Sequence, residues 1–335
     1  MKQNKIIIGI NGFGRIGRNL FRLLLNHPSI RVAAINDLAD APTLAHLLKY
    51  DSIHGKLEEE IKAKDASIII QGQVVPVLNF PTPEGIPWSD HQVDLVVECS
   101  GKFKTREALQ GHIKDSERKI LLSVPPQDES IKMIVRGVNE HILTGEEDII
   151  SNASCTTNNA APMIKVLDNF LGIQQAFITT VHSFTTDQSL HDQPHRDLRR
   201  ARAASQSIIP TTTGAAKALT KVFPHLSEAI GGCGIRVPVP NGSLTDITMK
   251  VKRETTIEEV NAAFKEASET SLAQIIQYTE DPIVSIDILG NRHSCIFDAQ
   301  MTSVIGGDLV KVIGWYDNEI GYSSRLIDTI SQFLR

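Results

Sequence analysis

The pattern of apolar and polar positions divides the chain into two halves of different character. Lys5–Ile10 is a short β-branched apolar run, and Asn11–Gly17 is glycine-rich. Arg15–Asn26 repeats apolar residues at helical spacing (Ile16, Leu20, Leu23, Leu24), and Arg31–Asn36 is strand-like again. Strand, turn, helix and strand in that order predict the βαβ unit of a parallel sheet. Pro42–Tyr50 predicts another helix, and Ser67–Gln71 with Gln73–Leu78, parted by Gly72, predicts a hairpin. Asp94–Cys99, Lys119–Ser123 and Ile149–Ser151 are continuously apolar, as strands covered on both faces tend to be.

Near residue 152 the pattern changes. A helix is expected from Cys155 to about Phe170, then a strand over Ala176–Ser183. Phe184–Arg202 is long, polar and without periodicity, and stretches of this kind inside compact domains are usually functional or disordered. Thr213–Val222 reads as a helix and Leu244–Val251 as a strand. Thr256-x-x-Glu259 is a capping box opening a helix to about Ser268. Ile283–Ile288, Ser294–Asp298 and Leu309–Trp315 alternate, which predicts sheet with one solvated or interface face. Ser323–Leu334 is an amphipathic terminal helix.

Composition narrows the class. The 335 residues suggest two domains, and 41% hydrophobic with 22% charged residues allow a sizeable core. A net charge of −5 with scattered Lys and Arg leaves no electrostatic footprint for nucleic acid. No apolar run approaches the roughly 18 residues a membrane helix needs. MKQNKIIIGI runs straight into a strand, so no signal peptide is expected. Cys99, Cys155, Cys233 and Cys295 have no CxxC spacing, so a reducing cytoplasm is the simplest setting, with no disulfide framework and no metal.

Two stretches carry chemistry. Gly12-Phe-Gly14-Arg15-Ile16-Gly17 is GxGxxG between a strand and a helix, and Asp37 lies twenty positions beyond Gly17, at the end of the second strand. That is the full context of a dinucleotide site. Small residues admit a pyrophosphate to the backbone, and the helix N-terminus supplies free N–H groups. Asp37 would accept from ribose hydroxyls and repel a 2′-phosphate, which favours NAD over NADP. The second stretch is Ser151–Asn158, which places Cys155 at a helix start. There the dipole and N–H groups are expected to lower the thiol pKa, and the same groups could hold an oxyanion. His182, at the end of the following strand, is the candidate base. Without further support, a core cysteine and a structural histidine compete with this reading. For Cys99, Cys233 and Cys295 the core reading wins.

The segments SNASCTTN (151–158), INGFGRIGR (10–18), HSFTTDQ (182–188), LRRARAASQSIIPTTTGAAKA (198–218), RVPVPN (236–241) and WYDNEIGYS (315–323) together resemble the phosphorylating glyceraldehyde-3-phosphate dehydrogenases. The similarity runs from residue 5 to the C-terminus. It implies a Rossmann-type doubly wound parallel sheet in an NAD-binding domain over 1–153. A second, α+β catalytic domain over 154–317 would have a mixed, largely antiparallel sheet, and a C-terminal helix over 318–335 would return to the first domain. The resemblance makes Cys155 the nucleophile, forming a thiohemiacetal and then a thioester that inorganic phosphate opens, with His182 as acid and base. Thr185 and Arg236 would hold the substrate phosphate, and Arg200, Thr213 and Gly214 the attacking phosphate. Ser154 and Thr156 would flank the nucleophile and contact substrate. Arg15, Ile16, Asp37, Ser100, Ser123 and Asn318 map onto NAD contacts, beside Gly12, Gly14 and Gly17. The long stretch 184–202 resembles the family's S-loop, which implies a homotetramer.

Two departures stand out. Asn159 occupies the position of a second cysteine usual in the family, which removes one route to an oxidised dithiol. Leu78–Trp88 lacks the basic residue common near the adenosine ribose, with Pro81 about where it would be. Erythrose-4-phosphate dehydrogenase, a sister family, is the close alternative. Thr185 and the intact PTTTGAA at 210–216 favour the glyceraldehyde enzyme, since hydrolysis of the thioester has less need of a second anion site. A non-catalytic binding role for the same fold is the third reading, against which the intact Cys155, His182, Thr213 and Arg236 argue.

Overall fold

The structure is a computed structural model that describes residues 5–113 and 117–334. Residues 1–4, part of the run behind the signal-peptide expectation, lie outside them. By packing, the chain divides into two compact units.

The first unit contains β1 (Ile6–Asn11), α1 (Arg15–Leu24), β2 (Ile30–Asn36), α2 (Ala41–Lys49), β3 (Ile61–Lys64), β4 (Ser67–Ile70), β5 (Gln73–Leu78), β6 (Leu95–Glu98), α3 (Arg106–Leu109), β7 (Lys119–Leu122), β8 (Lys132–Met133) and β9 (Ile149–Ser151). Its sheet has the order β3-β4-β5-β2-β1-β6-β7-β9-β8. All neighbours from β5 to β8 are parallel, and only β3-β4-β5 is antiparallel. The continuous apolar runs follow from this: Leu95, Val96 and Val97 of β6 are wholly buried. The hairpin forms as its sequence predicts, with Gln71 and Gly72 both at positive φ (51° and 76°), as a two-residue type I′ turn requires. β2 and β6 flank β1 on opposite sides, so strand order reverses at β1. Open α/β sheets bind ligands at the carboxyl ends of strands at such a reversal.

The second unit contains α4 (Cys155–Leu171), β10 (Ile173–Ser183), β11 (Ile209–Thr211), α5 (Ala215–Val222), β12 (Ile230–Val237), β13 (Ser243–Val251), α6 (Ile257–Glu269), β14 (Ile276–Thr279), β15 (Cys295–Asp298), β16 (Ser303–Ile305) and β17 (Leu309–Tyr316). Its sheet runs β11-β12-β10-β13-β17-β15-β14, with β16 on β17. Among the described residues of this sheet, the only parallel pairs are β10 with β12 and β14 with β15. Residues 135–140 group with this unit. They are tied down where Lys165 Nζ donates to the Gly137 carbonyl at 2.6 Å. A last helix, α7 (Ile320–Phe333), begins in this unit, and from Ser323 onward the chain groups with the first unit. There Thr329 donates to Asn152 Oδ1 at 2.9 Å.

Two elements differ from the sequence reading. Ile283–Ile288 is a turn-rich segment and no strand: Pro282 precedes it, Asp287 accepts from the Val284 N–H, and Val284 and Ile286 are exposed. Its alternation marks residues on a surface, without a ladder. Conversely β12, IGGCGIRV, is a full strand whose three glycines depress β propensity and hide it. That strand positions a residue of the candidate site.

Candidate active site

At the carboxyl ends of β1, β2 and β6 the first unit forms a cleft of about 250 Å³, lined among others by Gly12, Gly14, Asp37, Leu38, Pro81 and Ser100. Gly12 sits at φ +92°, and a Cβ there would come within 2.5 Å of the Ser100 backbone nitrogen. A Cβ on Gly17 would meet the Gly12 carbonyl at 2.3 Å. Gly14 faces open space and caps α1 without any side-chain hydrogen bond, which leaves room for an anion at this helix start. This is the donor set and room a dinucleotide pyrophosphate requires.

Several predicted cofactor residues serve the cleft differently from a simple ligand contact. The Asp37 carboxylate accepts from the N–H groups of Phe13 (2.7 Å) and Ala39 (3.0 Å), which fixes its orientation and leaves lone pairs for hydroxyl donors. The Arg15 guanidinium is committed to Asp51 at 2.6 and 3.1 Å, so only its backbone N–H can meet a ligand. Burial would raise the Asp51 carboxyl, but Arg15 and the N–H groups of His54 and Ile53 hold it at about 2. Ser123 is buried beside Cys99, whose thiol burial pushes up to about 12, and burial likewise raises Cys295. Cys295 is a core thiol, as read from the sequence, whereas Cys99 is half-buried and lines the cleft. Pro81 lines the cleft, and so does Lys102, which the sequence reading passed over.

Beneath the cleft lies a polar network the sequence did not reveal. Glu98 and His112 are fully buried. Glu98 accepts from the Ser100 N–H (2.7 Å), from Asn11 Nδ2 and from His112 Nε2 (3.2 Å). Trp88 Nε1 donates to His112 Nδ1 at 3.0 Å. Asn36 Nδ2 donates to Asn11 Oδ1 (2.7 Å) and to the Phe80 carbonyl (3.0 Å). The loops after β1, β2 and β6 are thereby fastened to one buried carboxylate.

In the second unit the candidate nucleophile and its candidate base meet. Cys155 is the first residue of α4, and its Sγ is 3.5 Å from His182 Nε2 at the end of β10. Ser154 is the N-cap, its Oγ accepting from the Thr157 N–H at 3.1 Å. The chain reaches that cap through Ala153 at φ +54°, a left-handed conformation that a non-glycine residue adopts only under constraint. Thr156 Oγ1 is turned to the Tyr316 hydroxyl at 2.9 Å, which also meets Thr180 Oγ1 at 2.9 Å. The Tyr316 ring packs edge-on against His182 with centroids 5.9 Å apart. No spacing rule links Thr180 or Tyr316 to Cys155, since they lie on separate strands. The hydroxyls of Ser154 and Thr156 are engaged in structural bonds.

The electrostatics correct one expectation. Burial pushes the Cys155 thiol above its ordinary value; Arg236 and the Thr156 N–H pull it down without overcoming that loss of solvation. Burial, assisted by Arg236, also pushes His182 down to about 3. The same burial thus disfavours the charged form of both groups.

The anion-binding candidates gather around this pair. Arg236 lies on β12 directly opposite His182 in the parallel ladder, its Nη1 2.6 Å from His182 Nδ1 and donating to the Ser183 carbonyl at 2.9 Å. Burial and the nearby Arg200 lower its affinity for its proton, while Cys155 opposes them. Arg200 donates to Thr211 Oγ1 (3.0 Å), the Thr212 carbonyl (3.1 Å) and Asp187 (2.5 Å). Thr213 and Gly214 open α5; the cap Gly214 has no side-chain bond, and Thr213 Oγ1 accepts from the Ala215 N–H at 3.2 Å. Thr185 begins a turn closed by the Gln188 N–H on its carbonyl. Asn318 Oδ1 accepts from Ser183 Oγ (2.9 Å), Ser243 Oγ (3.1 Å) and the Gly242 N–H (3.3 Å), which points its amide NH2 away from those donors. Asn159 is buried and donates to the carbonyls of Ser294 and Trp315, both at 3.2 Å. It thus joins α4 to the sheet where the family usually has a thiol.

Comparison with known proteins agrees with this arrangement. Residues 6–106 match the family model "Glyceraldehyde 3-phosphate dehydrogenase, NAD binding domain", and residues 154–318 match its "C-terminal domain". The chain is 52% identical to "Glyceraldehyde-3-phosphate dehydrogenase 2" of Streptomyces avermitilis, over 96% of this chain and 97% of that one. It is 50% identical to the enzyme of Geobacillus stearothermophilus (96% of each chain) and 51% identical to that of Thermotoga maritima (98% and 99%). With both domains matched and half of all residues shared over nearly the full length, the chain belongs to the glyceraldehyde 3-phosphate dehydrogenase family.

Proposed function

We propose that the protein oxidises D-glyceraldehyde 3-phosphate with NAD and inorganic phosphate, forming 1,3-bisphosphoglycerate through a thioester on Cys155. The observation that carries this reading is the 3.5 Å approach of Cys155 Sγ to His182 Nε2 at a helix start, with Arg236 and Arg200 beside them. Arg236 and Thr185 bind the substrate phosphate, a guanidinium being suited to bidentate contact with phosphate oxygens. His182 Nε2 takes the thiol proton as Sγ adds to the aldehyde. The backbone N–H groups of Cys155 and Thr156, which attend the sulfur at the start of α4, hold the oxygen of the thiohemiacetal. Bound NAD supplies the hydride acceptor that turns this adduct into a thioester. Arg200 and the first amides of α5, with Thr213 and Gly214, hold the phosphate that opens it, and His182 returns the proton. In the cleft of the first unit, Gly12, Gly14, Gly17 and the backbone of Arg15 and Ile16 bind the pyrophosphate, and Asp37 binds the ribose. Ser100, which lines the cleft, Ser123 and Asn318 are the further cofactor-binding residues of this reading.

Arg200 must release Asp187 for a phosphate to take its place. Leu190, Leu198 and Ile208, 67%, 81% and 70% exposed, are large apolar side chains on or beside the long irregular stretch. They support a homotetramer that covers them. Among the described residues no helix is long and apolar enough to cross a membrane, and the four thiols are free, in keeping with a cytoplasmic enzyme. The decisive assay follows NADH from glyceraldehyde 3-phosphate with and without phosphate or arsenate, beside erythrose 4-phosphate. Phosphate-dependent NADH from the triose and its loss in Cys155→Ser support the reading. Faster turnover of the tetrose, or activity retained by Cys155→Ser, overturns it.

A further inference from the structure

The polar network beneath the cofactor cleft has one consistent set of hydrogen positions. Three of its donors cannot reverse: the Trp88 indole offers only an N–H, and the backbone N–H groups of Phe80 and Ser100 can only donate. Trp88 Nε1 gives its hydrogen to His112 Nδ1, which must be bare. The ring's own hydrogen then sits on Nε2, 3.2 Å from Glu98 Oε2. The Phe80 N–H fixes Asn36 Oδ1 as its acceptor at 2.9 Å, so Asn36 Nδ2 donates to Asn11 Oδ1 at 2.7 Å. Asn11 Nδ2 is left to donate to Glu98 Oε2. The Ser100 N–H takes the other carboxyl oxygen, Oε1, at 2.7 Å. Glu98 thus receives three hydrogens and has no acceptor for one of its own. It is a fully buried carboxylate, with no Lys or Arg paired to it among the described residues.

A buried anion without a countercharge is costly unless every one of its donors is in place. Here the donors belong to the cleft. Asn11 ends β1, Ser100 follows β6, and Asn36, which grips Asn11, ends β2; all three line it. The charge therefore draws three walls of the cleft to one point. Ser100 is constrained twice, since its Oγ also accepts from the Lys102 N–H at 3.2 Å. Its hydroxyl hydrogen has no acceptor among the described residues. With the N–H spent on Glu98, that hydrogen is the one donor Ser100 can offer a ligand. From this geometry we infer that Glu98 is a positioning residue for the cofactor: its charge, and not its bulk, holds Ser100 and the ends of β1 and β2 in the arrangement that NAD meets. Trp88 and His112 belong to the same device, because together they make the imidazole a donor to that carboxylate. The inference rests on the reading that this cleft takes the NAD.

The test is calorimetric titration of NAD into the full-length protein without substrate. Glu98→Gln keeps the outline of the side chain and removes the charge. The new amide has a single oxygen, and whichever end carries the NH2 meets donors that cannot turn. The Kd for NAD should rise about 10- to 100-fold, the range for losing a hydrogen bond to a charged group, with kcat at saturating NAD close to wild type. Glu98→Asp, which keeps the charge on a shorter stem, should bind with intermediate affinity, and it carries the test if the glutamine variant does not fold. Nitrogen NMR of the histidine-labelled wild-type protein should show His112 protonated at Nε2, with and without NAD. An unchanged Kd in folded Glu98→Gln, a Glu98→Asp protein that binds NAD no better than Glu98→Gln, or His112 protonated at Nδ1 overturns the inference. Gly14→Val tests the cleft itself, because a Cβ there meets nothing in the protein and the side chain would enter the space for the ligand. NAD binding that survives Gly14→Val refutes the reading of the cleft. Binding abolished by Gly14→Val but indifferent to Glu98→Gln refutes only the role of Glu98.

Discussion

The two units each bury a histidine, and the two are wired in opposite ways. His112, in the first unit, has one donor and one acceptor: Trp88 gives a hydrogen to Nδ1, and Glu98 accepts from Nε2. Every partner agrees on one tautomer, and the ring serves as a fixed strut under the cofactor cleft. His182, in the second unit, has two partners competing for Nδ1 and a thiol at Nε2. A polar network in which every partner is satisfied stabilises a fold; one whose partners cannot all be satisfied at once can do chemistry. Burial alone does not distinguish the two residues, whereas the inventory of donors and acceptors does.

The comparison breaks most sharply under substitution of each ring. His182→Asn should lower kcat by about 10²- to 10⁴-fold, the range for losing a general acid–base group, with little change in the urea midpoint. His112→Ala should do the reverse. It leaves Trp88 Nε1 without its acceptor and removes one of three donors from the buried Glu98, costing about 2–4 kcal/mol of stability by urea titration, with kcat per folded molecule largely kept. Equal kinetic loss in both variants would erase the distinction.

A pH series sharpens it further. His182 is held at about 3 in the folded protein, below the roughly 6.5 of an unfolded histidine. Between those values the unfolded chain binds a proton that the folded chain refuses, so stability falls as pH drops from about 6.5 towards 3. The slope from this one residue is up to about 1.4 kcal/mol per pH unit. His182→Asn should flatten that limb of urea midpoints measured between pH 7 and 5. A smaller effect is expected at the rim of the cleft: Asp37→Ala should shift the ratio of kcat/KM for NAD over NADP by about tenfold towards NADP, about 1.4 kcal/mol. An unchanged ratio would mean that the carboxylate only anchors the Phe13 and Ala39 amides.

The cofactor cleft was largely legible in the linear chain because its parts are local. Gly12, Gly14 and Gly17 are required by turn geometry and close approach within a few residues, and Asp37 ends the next strand. Hydrophobic patterning likewise exposed the parallel strands, which are buried on both faces. The nucleophile's setting was legible in part. A helix start at Cys155 could be read, but the strand bearing Arg236 was masked by glycines. The direction of the thiol's proton affinity was misjudged, because a helix terminus is visible in sequence and desolvation is not. The apolar alternation at 283–288 misled for the same reason: periodicity records which residues are apolar, and packing decides what covers them.

Local chemistry written along the chain therefore determined the βαβ unit with its candidate cofactor site, the candidate nucleophile and the family pattern. Tertiary structure alone decided that Arg236 stands opposite His182 across a parallel ladder, that Tyr316 fixes the ring plane, and that Glu98 fastens three loops from beneath. These are meetings of side chains separated by tens of residues, and no local rule encodes them. Their distances and their exclusion of water exist only once the sheets are assembled, and those two quantities set where protons reside.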